Sequence, residues 1–427
     1  MLHDPTRHEP LRPLAWDEGQ VRAAIEHIVR DTESRVTDDG YWPVHPLDRE
    51  GEDAAAQPLT PLYHGACGVF WALHYLQDVG AATLRRSYAG ELARLLASNR
   101  AWLGHDAHKE QASFMMGDTP IRMMALGMTP SEATGPTEAA LDALIAGNTD
   151  HPARELMWGA PGTLLAALFL HERTGAPRWA DLFRLTAATL WSQLEWSPQH
   201  LCAYWTQDLY GRRSTYLDAV HGFVATALPL IRGRHLLDAE DWGGWEPCIV
   251  NTVRRTADRL GAQANWRPQL DGTSDSQKKL LQFCHGAPGF VICLAGLPDA
   301  TLDDLLRAGG ETIWAAGPLN KGSNLCHGTG GNGYAFLKLY QRTGDALWLE
   351  RARAFAMHGI AQTQAHALHY GQLRYSLWTG DPGFAIYLWD CLRAQAQFPT
   401  LDVFYASRTG TEPGLPHAAH HEPMRDR

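Results

Sequence analysis

A glycine turn followed by an apolar run recurs seven times along the chain, and this recurrence restricts the fold more than any other feature. The copies read "YHGACGVFWALHYL" from Tyr63, "MWGAPGTLLAALFL" from Met157, "VHGFVATALPLI" from Val220 and "CHGAPGFVICLAGL" from Cys284. "CHGTGGNGYAFLKLY" from Cys326 and "WTGDPGFAIYLWDCL" from Trp378 continue the series, and "MMGDTPIRMMALGM" from Met115 is a weaker member. Their first glycines fall at 65, 117, 159, 222, 286, 328 and 380, spaced 42 to 64 residues apart, which is room for one helical hairpin per copy. Two copies agree further: Arg-Thr-Gly follows each apolar run, and a tryptophan stands four residues on, at Trp179 after Gly175 and Trp348 after Gly344.

Each apolar run is rich in Ala and Leu and too long for a strand, and the glycine behind it is a natural helix stop before a second, amphipathic helix. No segment sustains the alternation of a strand. The expected fold is all-α: an α/α toroid of seven inner apolar helices inside seven outer amphipathic ones. An open solenoid is the competing architecture, but no polar capping repeats mark its ends. The expected layout is an N-terminal extension over 1–16, one toroid over 17–408 and a loose tail over 409–427, with an irregular excursion at 37–62.

The balance of residues excludes several function classes. The net charge is −10 without a lysine or arginine run, which argues against nucleic acid or an anionic membrane as partner. No window approaches the roughly 18 uninterrupted apolar residues of a membrane span, and the first residues lack a signal-peptide core. A cytoplasmic location is expected. Seven scattered cysteines, an odd count, point to reduced thiols rather than a disulfide framework.

In a closed ring, equivalent turns face one central hollow. Cys284 and Cys326 hold the same place in consecutive copies, and so do His285 and His327. Two thiols and one or two imidazoles meeting at helix N-termini match the ligand preference of zinc. All four bound would make a closed structural site; two sulfurs and one histidine would leave a position open to substrate.

The stretches "ELMWGAPG", "AVHG", "CHGAPG", "KGSNLCHGTGGNGYAFL" and "YSLWTGDPG" resemble the LanC family of lanthionine cyclases over about residues 17 to 395, and more closely its LanC-like branch. The resemblance implies an α/α toroid and zinc held by Cys284, Cys326 and His327, with His285 just behind them. It implies addition of a thiol, from a peptide cysteine or from glutathione, across the double bond of dehydroalanine or dehydrobutyrine. His221 matches the histidine considered for proton transfer. Glu155 stands where the cyclases carry an aspartate and the LanC-like branch a glutamate; it either serves the proton transfer or caps the inner helix. Lys321 matches a lysine that contacts glutathione in that branch. The cyclases carry an arginine shortly before the first zinc cysteine, where this chain offers Lys278 or Lys279, and Ala225 replaces one second glycine.

The leading expectation is therefore a zinc-dependent thioether-forming enzyme acting on a dehydroamino-acid peptide, supplied by a dehydratase or kinase partner. A zinc- and glutathione-binding scaffold without turnover is the alternative. Toroids also house glycosidases and terpene cyclases, but the turns offer only Glu155, Asp118 and Asp381 as acids and no aspartate-rich magnesium motif.

Overall fold

The structure is a computed structural model that describes residues 1–49, 58–104, 110–128, 134–272 and 278–406. Its inner helices are α2 (Ala66–Asp78), α4 (Thr119–Met128), α6 (Ala160–Thr174), α8 (Phe223–Arg232), α10 (Ala287–Leu294), α12 (Thr329–Thr343) and α14 (Asp381–Arg393). The outer helices are α1 (Glu18–Ser34), α3 (Leu92–Leu103), α5 (Gly135–Gly147), α7 (Pro177–Ser192), α9 (Ala239–Thr256), α11 (Asp303–Ala316) and α13 (Ala346–Tyr370). Each inner helix touches the next, and α14 touches α2, so the ring closes. The fold is an α/α toroid, and the open solenoid is set aside.

Amphipathicity sorts the two layers. Every residue of α10 is buried, whereas α9 buries only Trp245, Ile249, Thr252 and Val253 on one face. A glycine is the N-cap of six inner helices, at 65, 159, 222, 286, 328 and 380. The glycine three residues further on has a steric reason to be there. A Cβ on Gly331 would collide with the carbonyl oxygen of Leu325, because the incoming loop passes directly over the first helical turn. Ala225 takes this place in α8 and stays buried, its amide 3.2 Å from the Asp218 carbonyl.

Three two-stranded antiparallel hairpins interrupt the helical pattern. β1 (Glu195–Ser197) pairs β2 (Cys202–Tyr204), β3 (Gln207–Leu209) pairs β4 (Arg212–Ser214), and β5 (Ala257–Leu260) pairs β6 (Gln263–Trp266). Strands of three or four residues are too short to register as an alternating pattern. The N-terminal residues meet the loop that precedes α12, where Glu9 N donates to Pro318 O and Asn320 N donates to Arg7 O, and they also meet β6, where the Asn265 side-chain amide donates to Leu2 O. The tail expected over 409–427 lies outside the described residues. Among the described residues no helix is long and apolar enough to cross a membrane.

Candidate metal centre

The position two residues before each first glycine builds a rosette at one end of the ring. Cys284 N donates to Cys326 O (3.4 Å), Cys326 N to Trp378 O (2.9 Å), Trp378 N to Tyr63 O and Tyr63 N to Met115 O (both 3.1 Å). The turns are thus joined directly, strand-like, through five repeats. The position four residues before the glycine caps four of the turns. Ser113, Glu155, Asp218 and Asn324 accept from the amides of Met116, Trp158, His221 and His327, three residues on.

This scaffold brings Cys284, Cys326 and His327 together, with their ligand atoms all within 4.8 Å of one another. Cys326 Sγ lies 3.5 Å from His327 Nε2. A tetrahedral zinc with bonds of about 2.3 Å to sulfur and about 2.0 Å to nitrogen needs ligands about 3.5 to 3.8 Å apart, so this soft donor set fits the ion with little adjustment. None of the seven cysteines is in a disulfide. Burial, reinforced by Cys326 alongside, pushes the Cys284 thiol up to about 12, so deprotonation there calls for a cation.

Two carboxylate–imidazole pairs stand beside the cluster. His221 Nδ1 lies 2.8 Å from Glu155 Oε2, and His285 Nδ1 lies 2.8 Å from Asp218 Oδ2. Both carboxylates are fully buried, while the imidazoles are 18% and 22% exposed, enough to be reached from the hollow. Burial alone would lower the His221 pKa, but the Glu155 hydrogen bond and charge, with Asp218 behind them, raise it. Burial likewise opposes protonation of His285, yet Cys284 and Asp218 lift it to about 9. Glu155 also accepts from Met157 N (2.9 Å) and Trp158 N, so it caps its turn and holds His221 at once. His285 does not join the ligand cluster; its Nδ1 is taken up by Asp218.

Aromatic rings wall this side of the hollow. Tyr216 lies 5.5 Å from the His221 ring and 6.5 Å from the His285 ring. Tyr210, at the tip of the β3–β4 hairpin, accepts from Trp158 Nε1 at 3.0 Å and stands 6.2 Å from His221. Lys321 sits in a narrow cleft with Asn324, Arg374 and Asp381. Burial, with Arg7 and Arg374 nearby, lowers its pKa, while the two cysteines oppose the shift.

Of the cations considered before Cys284, Lys279 is paired with Asp258 at 3.2 Å. The nearby guanidinium comes instead from Arg7, whose Nη2 donates to Gln282 Oε1 at 2.9 Å. Asp118 is paired with Arg100, and Asp381 accepts from Ser323, Thr363 and the Arg374 amide, so both acids have structural partners. A cavity of about 610 Å³ lies at the far end of the ring between the C-terminal parts of α2, α4 and α6. It contains no thiol or matched carboxylate pair, and the rosette is the better seat for chemistry. Asp218, Gln282 and Tyr63 were not singled out in the sequence; aligning the turns at the fourth residue before the glycine would have marked the first two.

The family described as lanthionine synthetase C-like proteins matches residues 60–403. The glutathione S-transferase LANCL1 of Danio rerio is 38% identical over 136 residues, 30% of this chain and 33% of that protein. The LanC-like protein GCL1 of Arabidopsis thaliana is 31% identical over 212 residues, 48% of this chain and 46% of that protein. The chain thus aligns with between a third and a half of the length of these curated relatives. Nisin cyclase has the same fold, with a TM-score of 0.60 at 14% identity over 88% of this chain and 95% of its own.

Proposed function

The chain belongs to the lanthionine synthetase C-like family, and on that premise we propose that it is a zinc-dependent enzyme that adds a thiol to a dehydroamino acid in a peptide. The observation that carries this reading is the convergence of Cys284, Cys326 and His327 beside the His221–Glu155 pair. Three protein ligands are the number that leaves one position open. Zinc held there would lower the pKa of an incoming thiol and so supply a thiolate near neutral pH.

The rest falls to the protein's own residues. In the addition the thiol sulfur bonds to the β-carbon, the carbon–carbon double bond opens toward the amide, and a proton must reach the α-carbon. Glu155 favours the protonated form of His221, which would give that proton. Glu155 orients the ring through Nδ1 and leaves Nε2 for the substrate. His285, braced by Asp218, stabilises negative charge developing on the acceptor amide. Lys321 binds a carboxylate of the thiol substrate. The Danio rerio relative, named a glutathione S-transferase, supports glutathione as that thiol; a cysteine of the peptide itself is the other source. A dehydratase or a kinase that activates serine or threonine would supply the acceptor. Seven unpaired thiols suit the cytoplasm.

The test is direct. Incubated with glutathione and a dehydroalanine peptide, the zinc-loaded protein should produce the adduct mass, and a chelator should abolish it. Thiol and zinc binding with the peptide unchanged would instead identify a non-catalytic scaffold.

A further inference from the structure

Each sulfur of the cluster receives one hydrogen bond from an uncharged side chain. Gln282 Nε2 donates to Cys284 Sγ at 2.9 Å, and Tyr63 OH donates to Cys326 Sγ at 2.9 Å. Both donors are held by contacts that do not involve a metal. The Gln282 oxygen faces the Arg7 guanidinium, so its NH2 must turn the other way, toward sulfur. Its backbone exchanges hydrogen bonds with His285 at 3.0 and 3.1 Å. The backbone of Tyr63 is bonded on both sides within the rosette, and its ring lies 5.9 Å from Trp378.

Charge balance gives these contacts a purpose. Two thiolates and a neutral imidazole cancel the charge of a divalent ion, so a third sulfur arriving from substrate leaves a net negative charge in a buried site. Neutral donors on the two resident sulfurs draw electron density from them and spread that charge.

We propose that Gln282 and Tyr63 tune the two resident thiolates, and that Arg7 is a positioning residue acting on Cys284 through Gln282. The two donors stabilise the thiolate form and leave the metal more electron-poor toward the incoming thiol. The N-terminal segment is then part of the metal centre, although it contributes no ligand. This inference rests on the zinc reading above.

Cobalt(II) loaded into the full-length chain reports on the sulfurs through its thiolate-to-metal charge-transfer band. A sulfur that loses a hydrogen bond is a better electron donor, so Tyr63→Phe and Gln282→Leu should each move the band to lower energy. Each should also weaken zinc about tenfold in competition with a chelator. Arg7→Ala removes no ligand and no hydrogen-bond donor to sulfur, yet it should move the band in the same direction; it keeps the test decisive if Gln282→Leu does not fold. A band at its native position in all three variants, with native zinc affinity, overturns the proposal. A wild-type chain with no thiolate-to-cobalt band would overturn the metal reading itself, before any variant is made.

Discussion

The amide of Cys284 lies 3.4 Å from the carbonyl oxygen of Cys326, so the turns that carry the two sulfurs are joined through backbone rather than through a metal. Removing a sulfur should therefore empty the site without unfolding the ring. Cys284→Ala and Cys326→Ala are expected to lose the bound zinc, about one per chain in the unaltered protein, while helical circular dichroism stays unchanged. Metal analysis by mass spectrometry checks this.

The Glu155–His221 pair makes a pH prediction. Glu155 holds the imidazole's pKa up against burial, so Glu155→Gln should lower it. The alkaline limb of kcat, where the proton donor is lost, then moves to lower pH, and kcat falls by roughly 100-fold. KM for the thiol should hardly change. Because a glutamine oxygen still accepts from one of the two turn amides, stability should drop by only about 1 kcal/mol. A large loss of stability with an unmoved pH limb would reduce Glu155 to a turn cap.

Asp390 gives a prediction at the other end of the ring. It is fully buried, accepts from Tyr334 OH and Gln397 N through Oδ2, and has no partner at Oδ1. Burial raises its pKa to about 7. Between the unfolded value of about 4 and this folded value, the folded chain holds a proton that the unfolded chain has released, so stability falls as pH rises through 7. The difference is at most roughly 4 kcal/mol. Asp390→Asn should flatten this dependence in urea unfolding at pH 5 and pH 8; an equally steep dependence in the variant would place its origin elsewhere.

Gly331 tests the close packing behind the cluster. A methyl group there drives into the Leu325 carbonyl, next to Cys326, so Gly331→Ala should cost about 3 kcal/mol and weaken zinc binding as well. Gly175→Ala is the contrast: its φ is +67° but the space around it is open, so it should cost about 1 kcal/mol and leave zinc binding alone. Urea unfolding and zinc competition on the same samples separate the two effects.

The sequence revealed what repeats and concealed what pairs distant segments. Seven glycine turns were enough for the toroid, because a helix N-cap under a passing loop leaves the same mark each time. The sulfurs could be paired because Cys284 and Cys326 hold equivalent places, and His221, His285 and His327 share another. The short hairpins carried no period to detect. Arg7 meets Gln282 across 275 residues, and Tyr63 meets Cys326 only because the ring closes; neither contact leaves a local trace. The role of Glu155 stayed divided between cap and orienter because it has contacts of both kinds.

In the proposed centre, two sulfurs and one imidazole hold zinc with room for a substrate sulfur. X-ray absorption at the zinc edge counts those neighbours directly. The expected spectrum shows two sulfurs and one histidine nitrogen with a lighter fourth atom in the resting protein, and three sulfurs once glutathione or a cysteine peptide is added. A sulfur count that stays at two under saturating thiol, or four protein ligands from the outset, would contradict it.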